Sequence, residues 1–118
     1  MERKEHLSKA EHNEEFFRSF DVDTTNYKDW IVISIFYAAI HYYEAYFALE
    51  GKHSGSHHRA EDWISSDEKI SDTYDDYREL KHQRLYANYA KKFFTSDEIK
   101  NSIIPKFNKI KSKILSLR

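Results

Sequence analysis

The run from Asp29 to Gly51, DWIVISIFYAAIHYYEAYFALEG, decides what this chain can fold into. It is apolar on almost every side of a helix, and a helix coated all round belongs at the buried centre of a bundle. One polar row lies inside it. Ser34, Tyr37, His41 and Glu44 follow one another at steps of three, four and three, so they share a face. At the centre of a bundle this row is expected to be buried. It would then need partners, because an unpaired buried polar group costs about 1–3 kcal/mol.

The rest of the chain agrees with a helical bundle. Its 118 residues make one domain, 1–118, with enough material for a single core. Two Gly and one Pro are too few turn residues for a β-sandwich. The expected fold is all-α, an antiparallel bundle of four to five helices. With no Cys, disulfides and thiolate metal sites are excluded, and a cytoplasmic home is expected. The charged opening MERKEHLSKAEHNEE is no signal peptide. The apolar run Trp30–Tyr43 spans about 14 residues, too short for a bilayer, so no membrane is expected.

Helix boundaries follow from the punctuation. A first helix is expected over Arg3 to Phe20, ended by FDVDTTN. Thr25 or Asn26 should cap the second, and Gly51 should end it in a left-handed conformation. Ser56 should cap a short third helix, HHRAEDWIS, with Ala60, Trp63 and Ile64 inward. A long fourth helix is expected from about Glu68 to Phe93, with a stripe of Ile70, Tyr74, Tyr77, Leu80, Arg84 and Ala87. Thr95 to Glu98 reads as a capping box. It opens a fifth helix on Ile99, Ile103, Phe107, Ile110, Ile114 and Leu117, which Pro105 should kink or split. After Glu98 the chain is only basic, with Lys100, Lys106, Lys109, Lys111, Lys113 and Arg118. Such a face either contacts phosphate or is simply solvated.

Two residues stand out chemically. Arg84 puts a permanent charge on an apolar stripe, so it must meet a carboxylate, a ring face, an anion or a second subunit. Snorkelling to solvent, or pairing with Glu44 or with the tyrosines of the second helix, is the structural reading; an anion or phosphate contact in a dimer groove is the functional one. His41 titrates in the range suited to acid–base work, and Tyr37 and Glu44 lie within one turn of it. His53, His57 and His58, with Asp62 one turn on, match no strong metal spacing, so no metal and no cofactor is expected. Most of the tyrosines and phenylalanines fall on core spacings. No Gly-rich phosphate loop, zincin motif or nucleophile elbow occurs.

The order of these motifs resembles small prokaryotic HEPN domains. FYAAIHYYEAYFALEG is followed by HSGSHH, then Tyr77, Leu80, Arg84, Ala87 and Tyr89 as Y-x2-L-x3-R-x2-A-x-Y, then TSDEI. The resemblance covers about Tyr27 to Leu115. It implies a helical bundle that works as a homodimer, with Arg84 as the family arginine. Many such proteins are metal-independent RNA-cleaving toxins or defence effectors. Some pair with a nucleotidyltransferase-type antitoxin, and others bind nucleotides or act as scaffolds. Catalytic members carry Arg, four to six residues, then His. Here no His follows Arg84, and Tyr89 stands where that His would be. Arg78 and His82 have only three residues between them and point off the stripe, as a surface pair.

Three functions follow from the resemblance. The first is a dimeric module binding RNA or a nucleotide through Tyr37, Glu44, His57, Arg84 and Tyr89, in a toxin–antitoxin or defence setting with a degenerate ribonuclease motif. The second is a metal-independent endoribonuclease with Arg84 and His41 as catalytic residues. The third is a non-catalytic structural subunit.

Overall fold

Helix α2 (Lys28–Leu49) is the axis of the protein, and the other long helices pack on it. The structure, a computed structural model, describes residues 2–89 and 92–117. Around α2 stand α1 (Arg3–Arg18), α3 (His57–Ser66) and α4 (Tyr74–Tyr89), the last led in by a 3₁₀ turn, Ser71–Thr73. The final rod is composite: α5 (Ser96–Glu98), a π-helical turn (Ile99–Ile103) and α6 (Ile104–Ser116). Among the described residues there is no strand, and the protein is the all-α bundle its sequence predicts. By length and composition the 22-residue α2 is long and apolar enough to cross a bilayer, so counting only its apolar run understates it. Of its most apolar stretch, 72% is buried inside the bundle.

One core holds the helices together. α2 contributes Ile31, Ile35, Phe36, Tyr43 and Phe47 among others. Against them pack Ala10 and Phe17 of α1, Ala60 and Ile64 of α3, and Tyr77 and Leu80 of α4, together with Ile70 just before it. Ile99, Ile103, Phe107, Ile110 and Ile114 of the last rod are buried as their spacing predicts. Trp63 and Leu117 are only partly covered.

The helix ends bear out some expectations and correct others. Gly51 sits at φ 73° and closes α2. The Gly51 N–H donates to the Ala48 carbonyl and the Lys52 N–H to that of Phe47, both at 3.0 Å, the paired bonds of a Schellman ending. Ser56 caps α3, its hydroxyl oxygen accepting from the Arg59 N–H at 3.1 Å. The start of α2 differs: Tyr27, not Thr25 or Asn26, occupies the capping position, and its side chain makes no cap. The Thr25 hydroxyl instead accepts from the Tyr27 N–H at 3.0 Å and closes the turn before the helix.

The fourth helix is shorter than its apolar stripe suggests. Asp67 bends the chain first, accepting the Lys69 N–H on its carboxylate at 2.9 Å and the Ser71 N–H on its carbonyl at 2.8 Å. An aspartate that bonds its own following backbone offers an alternative to the helix ladder. At the far end Ala90 and Lys91 lie outside the described residues. Lys92 to Phe94 are not helical, and Phe93 is 94% exposed.

Pro105 acts as expected. It has no N–H to give the carbonyl one turn earlier. The ladder widens into the π turn just before it, which sets the capped first turn, Ser96–Glu98, apart from α6. The capping box itself is present, Thr95 accepting from the Glu98 N–H at 3.1 Å.

Four lysines of the basic stretch are paired with acids within the fold. Lys100 pairs with Asp23, Lys109 with Asp76, Lys111 with Glu14 and Lys113 with Asp72, all within 3.0 Å. Lys106 donates to the Ser102 hydroxyl at 2.9 Å, and Arg118 lies outside the described residues. The charge asymmetry along the sequence therefore reflects contacts of the last rod with α1, the loop after it, the 3₁₀ turn and the start of α4. Glu14 is the best built of these partners. It also accepts from Arg18 at 2.8 Å and from the Tyr42 hydroxyl at 3.1 Å, and these donors hold its carboxyl below the usual range against the opposing effect of burial.

Candidate functional site

The polar row of α2 is not wholly buried. Ser34 is buried, but Tyr37 is 36% exposed, and His41 and Glu44 are half-buried. Tyr37, His41 and Glu44 form the floor of a shallow cleft of about 440 Å³, which Ser34 does not line. His6 from α1 closes one part of it, and the loop carrying His53, Ser54 and Gly55, with His57 at the start of α3, closes another. Part of a row read as the dry centre of a bundle is thus open to water.

Glu44 organises the loop. The Ser54 hydroxyl donates to one of its oxygens, and the Ser54 N–H reaches the other at 3.5 Å. Gly55, at φ 72°, lets the chain turn straight from this anchor into the Ser56 cap. His57 is thereby set edge-on against Phe36, with ring centroids 5.6 Å apart. One carboxylate on α2 and one cap on α3 therefore fix where the second cleft imidazole stands.

Arg84 lies behind the same rings. Its guanidinium carbon is 4.9 Å from the centre of Phe36 and 5.9 Å from that of Tyr37. The tyrosine-partner alternative is the one realised: Arg84 makes a cation–π contact with these rings and no ion pair with Glu44. Its Nε is buried without a hydrogen-bond partner, as is the hydroxyl of the neighbouring Tyr77. Arg84 does not itself line the cleft; it flanks it through Tyr37 and His57. Tyr89 is not part of this group. It is 78% exposed at the end of α4 and absent from the cleft lining.

Sequence reasoning missed His6. It is 7% exposed, and its Nδ1 lies 3.2 Å from Nδ1 of His41. Its Nε2 is buried with no partner. The signal was available: His6, Ala10 and Phe17 fall four and seven residues apart on one face of α1, and they are the buried residues of that helix. A histidine in register with core residues belongs to the packed face. Ser54 was missed too, and no local pattern marks it.

Burial is the largest cause of a downward shift in three of the cleft imidazoles, His6, His41 and His57. Burial pushes His6 below the ordinary histidine range, while Glu44 pulls it back up. His41 is lowered by burial, then by His6 and Lys9. His57 is lowered by burial, then by Arg84 and Lys81. A neutral imidazole can accept a proton from a ligand, which an imidazolium cannot.

No three metal-ligating side chains among the described residues stand close enough together to hold an ion. His58 and Asp62 meet only on the surface, at 3.7 Å, both largely exposed. Arg78 and His82 are exposed, with Arg78 over the Tyr74 ring at 5.8 Å. No family model, curated protein or solved structure matches this chain.

Proposed function

We propose that this chain is a HEPN-type module that binds RNA or a nucleotide at the cleft floored by Tyr37, His41 and Glu44. The observation that carries the reading is the grouping of Tyr37, His41, Glu44 and His57 around one opening, with Arg84 of a third helix directly behind Tyr37. A guanidinium seated on a half-exposed tyrosine beside an imidazole suits a phosphate next to a base: the cation takes the charge and the ring takes the stacking. The resemblance further suggests a homodimer in a toxin–antitoxin or defence system, with a nucleotidyltransferase-type protein as a candidate partner.

Fluorescence anisotropy with labelled single-stranded RNA and with nucleoside phosphates tests the binding. Arg84→Ala is expected to weaken affinity about tenfold or more, the worth of one charge-assisted contact. Wild-type protein without affinity for either ligand would remove the proposal and favour a purely structural subunit.

A second reading is favoured by one observation: three buried or half-buried imidazoles line the cleft and are held below their usual range. On this reading the protein is a metal-independent endoribonuclease in which Arg84 holds the phosphate and His41 moves the proton. It predicts RNA cleavage that resists EDTA and falls about a hundredfold or more in His41→Ala, the scale of general acid–base catalysis. A mixed RNA pool left intact by wild-type protein eliminates this reading and leaves binding untouched.

A further inference from the structure

We propose that His6 and His41 form a proton-operated latch: the pair holds the first turns of α1 over the cleft, and protonation of both rings releases those turns and opens it. The two Nδ1 atoms are 3.2 Å apart, so a hydrogen on one must point at a bare nitrogen on the other. A neutral imidazole carries one N–H and an imidazolium carries two. The contact therefore tolerates no more than one imidazolium. With both rings charged, N–H faces N–H and like charge faces like charge.

The surroundings give the second proton no alternative place. A protonated His6 would also carry a hydrogen on Nε2, which is buried and unpartnered. Charges of both signs face the pair. Glu44 on α2 and Glu5 on α1 favour the protonated form of His6, while His53 in the loop opposes it. Lys9 on α1 acts against the protonated form of His41. Burial disfavours charge on both rings. Glu44 accepts from Ser54 and makes no hydrogen bond to either ring, so it acts on the pair by its charge alone.

Release of the first turns is local because of how α1 is anchored. Up to residue 9, His6 is its one buried side chain, with Leu7 partly packed. From Ala10 onward Phe17 and the Glu14 contacts hold the helix down. The Glu2–Glu5 capping box is internal to the first turn, so that turn can lift without losing its cap. His6 lines the cleft, so lifting it widens the opening and leaves the charged His41 facing in. The latch does not depend on which ligand the cleft takes.

Amide hydrogen exchange on the full chain at pH 7.5 and pH 5.0, corrected for intrinsic rates, tests this. Protection of residues 4–10 is expected to fall at least about tenfold more than that of residues 12–18, since each pH unit below a group's folded pKa changes its protonated ratio tenfold. His6→Gln and His41→Gln each keep a polar side chain that does not titrate, and each is expected to abolish the difference; His12→Gln on the exposed face leaves it intact. Equal loss of protection along the whole of α1, or a difference that survives in His41→Gln, overturns the latch. Should His6→Gln fail to fold, ¹⁵N spectra of the wild-type imidazoles decide. Two coupled titration steps shared by His6 and His41 support the latch, and two independent single steps refute it.

Discussion

Phe107→Ala is expected to destabilise the protein by about 3–5 kcal/mol, a large share of what a domain of this size possesses. The ring is fully buried. It lies edge-on to Phe17 of α1 at 5.4 Å and tilted against Tyr42 of α2 at 6.0 Å, so it joins three helices at once. Alanine leaves a hole bounded by rigid rings, which relax less than aliphatic chains would. Phe93→Ala is the control. That ring is 94% exposed, and its loss should change stability by no more than about 0.5 kcal/mol. Urea unfolding followed by circular dichroism measures both. Equal effects would mean that α6 is not docked as described.

Periodicity located the core because burial depends on which face a residue occupies. The four-four-three-four run from Ile99 to Ile114 survived even the interruption at Pro105, since the π turn lengthens the rod without turning its apolar side away. The same logic misjudged the row on α2. Apolar residues all round a helix indicate that neighbours surround it, but not where two neighbours leave a gap. The gap lies between α1, which reaches His41 only through His6, and the loop that covers Glu44. Loop placement depends on Glu44 meeting Ser54, a contact ten residues apart that follows no period. Tyr89 was grouped with Arg84 by spacing in the chain, yet five residues along a helix is well over one turn, and its ring points to solvent. The lysines were legible as a cluster; that four of them would find an acid on α1, on its following loop, in the 3₁₀ turn or at the start of α4 depended on tertiary contacts.

Glu44→Ala is expected to cost about 2–3 kcal/mol at pH 7.5, because it strands the buried Ser54 hydroxyl and frees the loop that positions His57. The cost should grow on acidification, and the sign follows from the histidines. In the unfolded chain they titrate near the ordinary value of about 6.5. In the folded chain His6, His41 and His57 lie below it. As pH falls through 6.5 the unfolded chain takes up protons first, so stability present above that pH declines below it. Glu44 counters this by pulling all three histidines upward. Without it they fall further, and the acid loss deepens. The stability difference between wild type and variant should therefore be larger at pH 5 than at pH 7.5, measured by urea midpoints at both. Glu44→Gln separates the two contributions. The amide still accepts from Ser54, so most of the loss at pH 7.5 should be recovered, while the missing charge leaves the acid-side loss in place. A Gln variant indistinguishable from wild type at pH 5 would show that the carboxylate holds the loop but has no electrostatic hold on the cleft histidines.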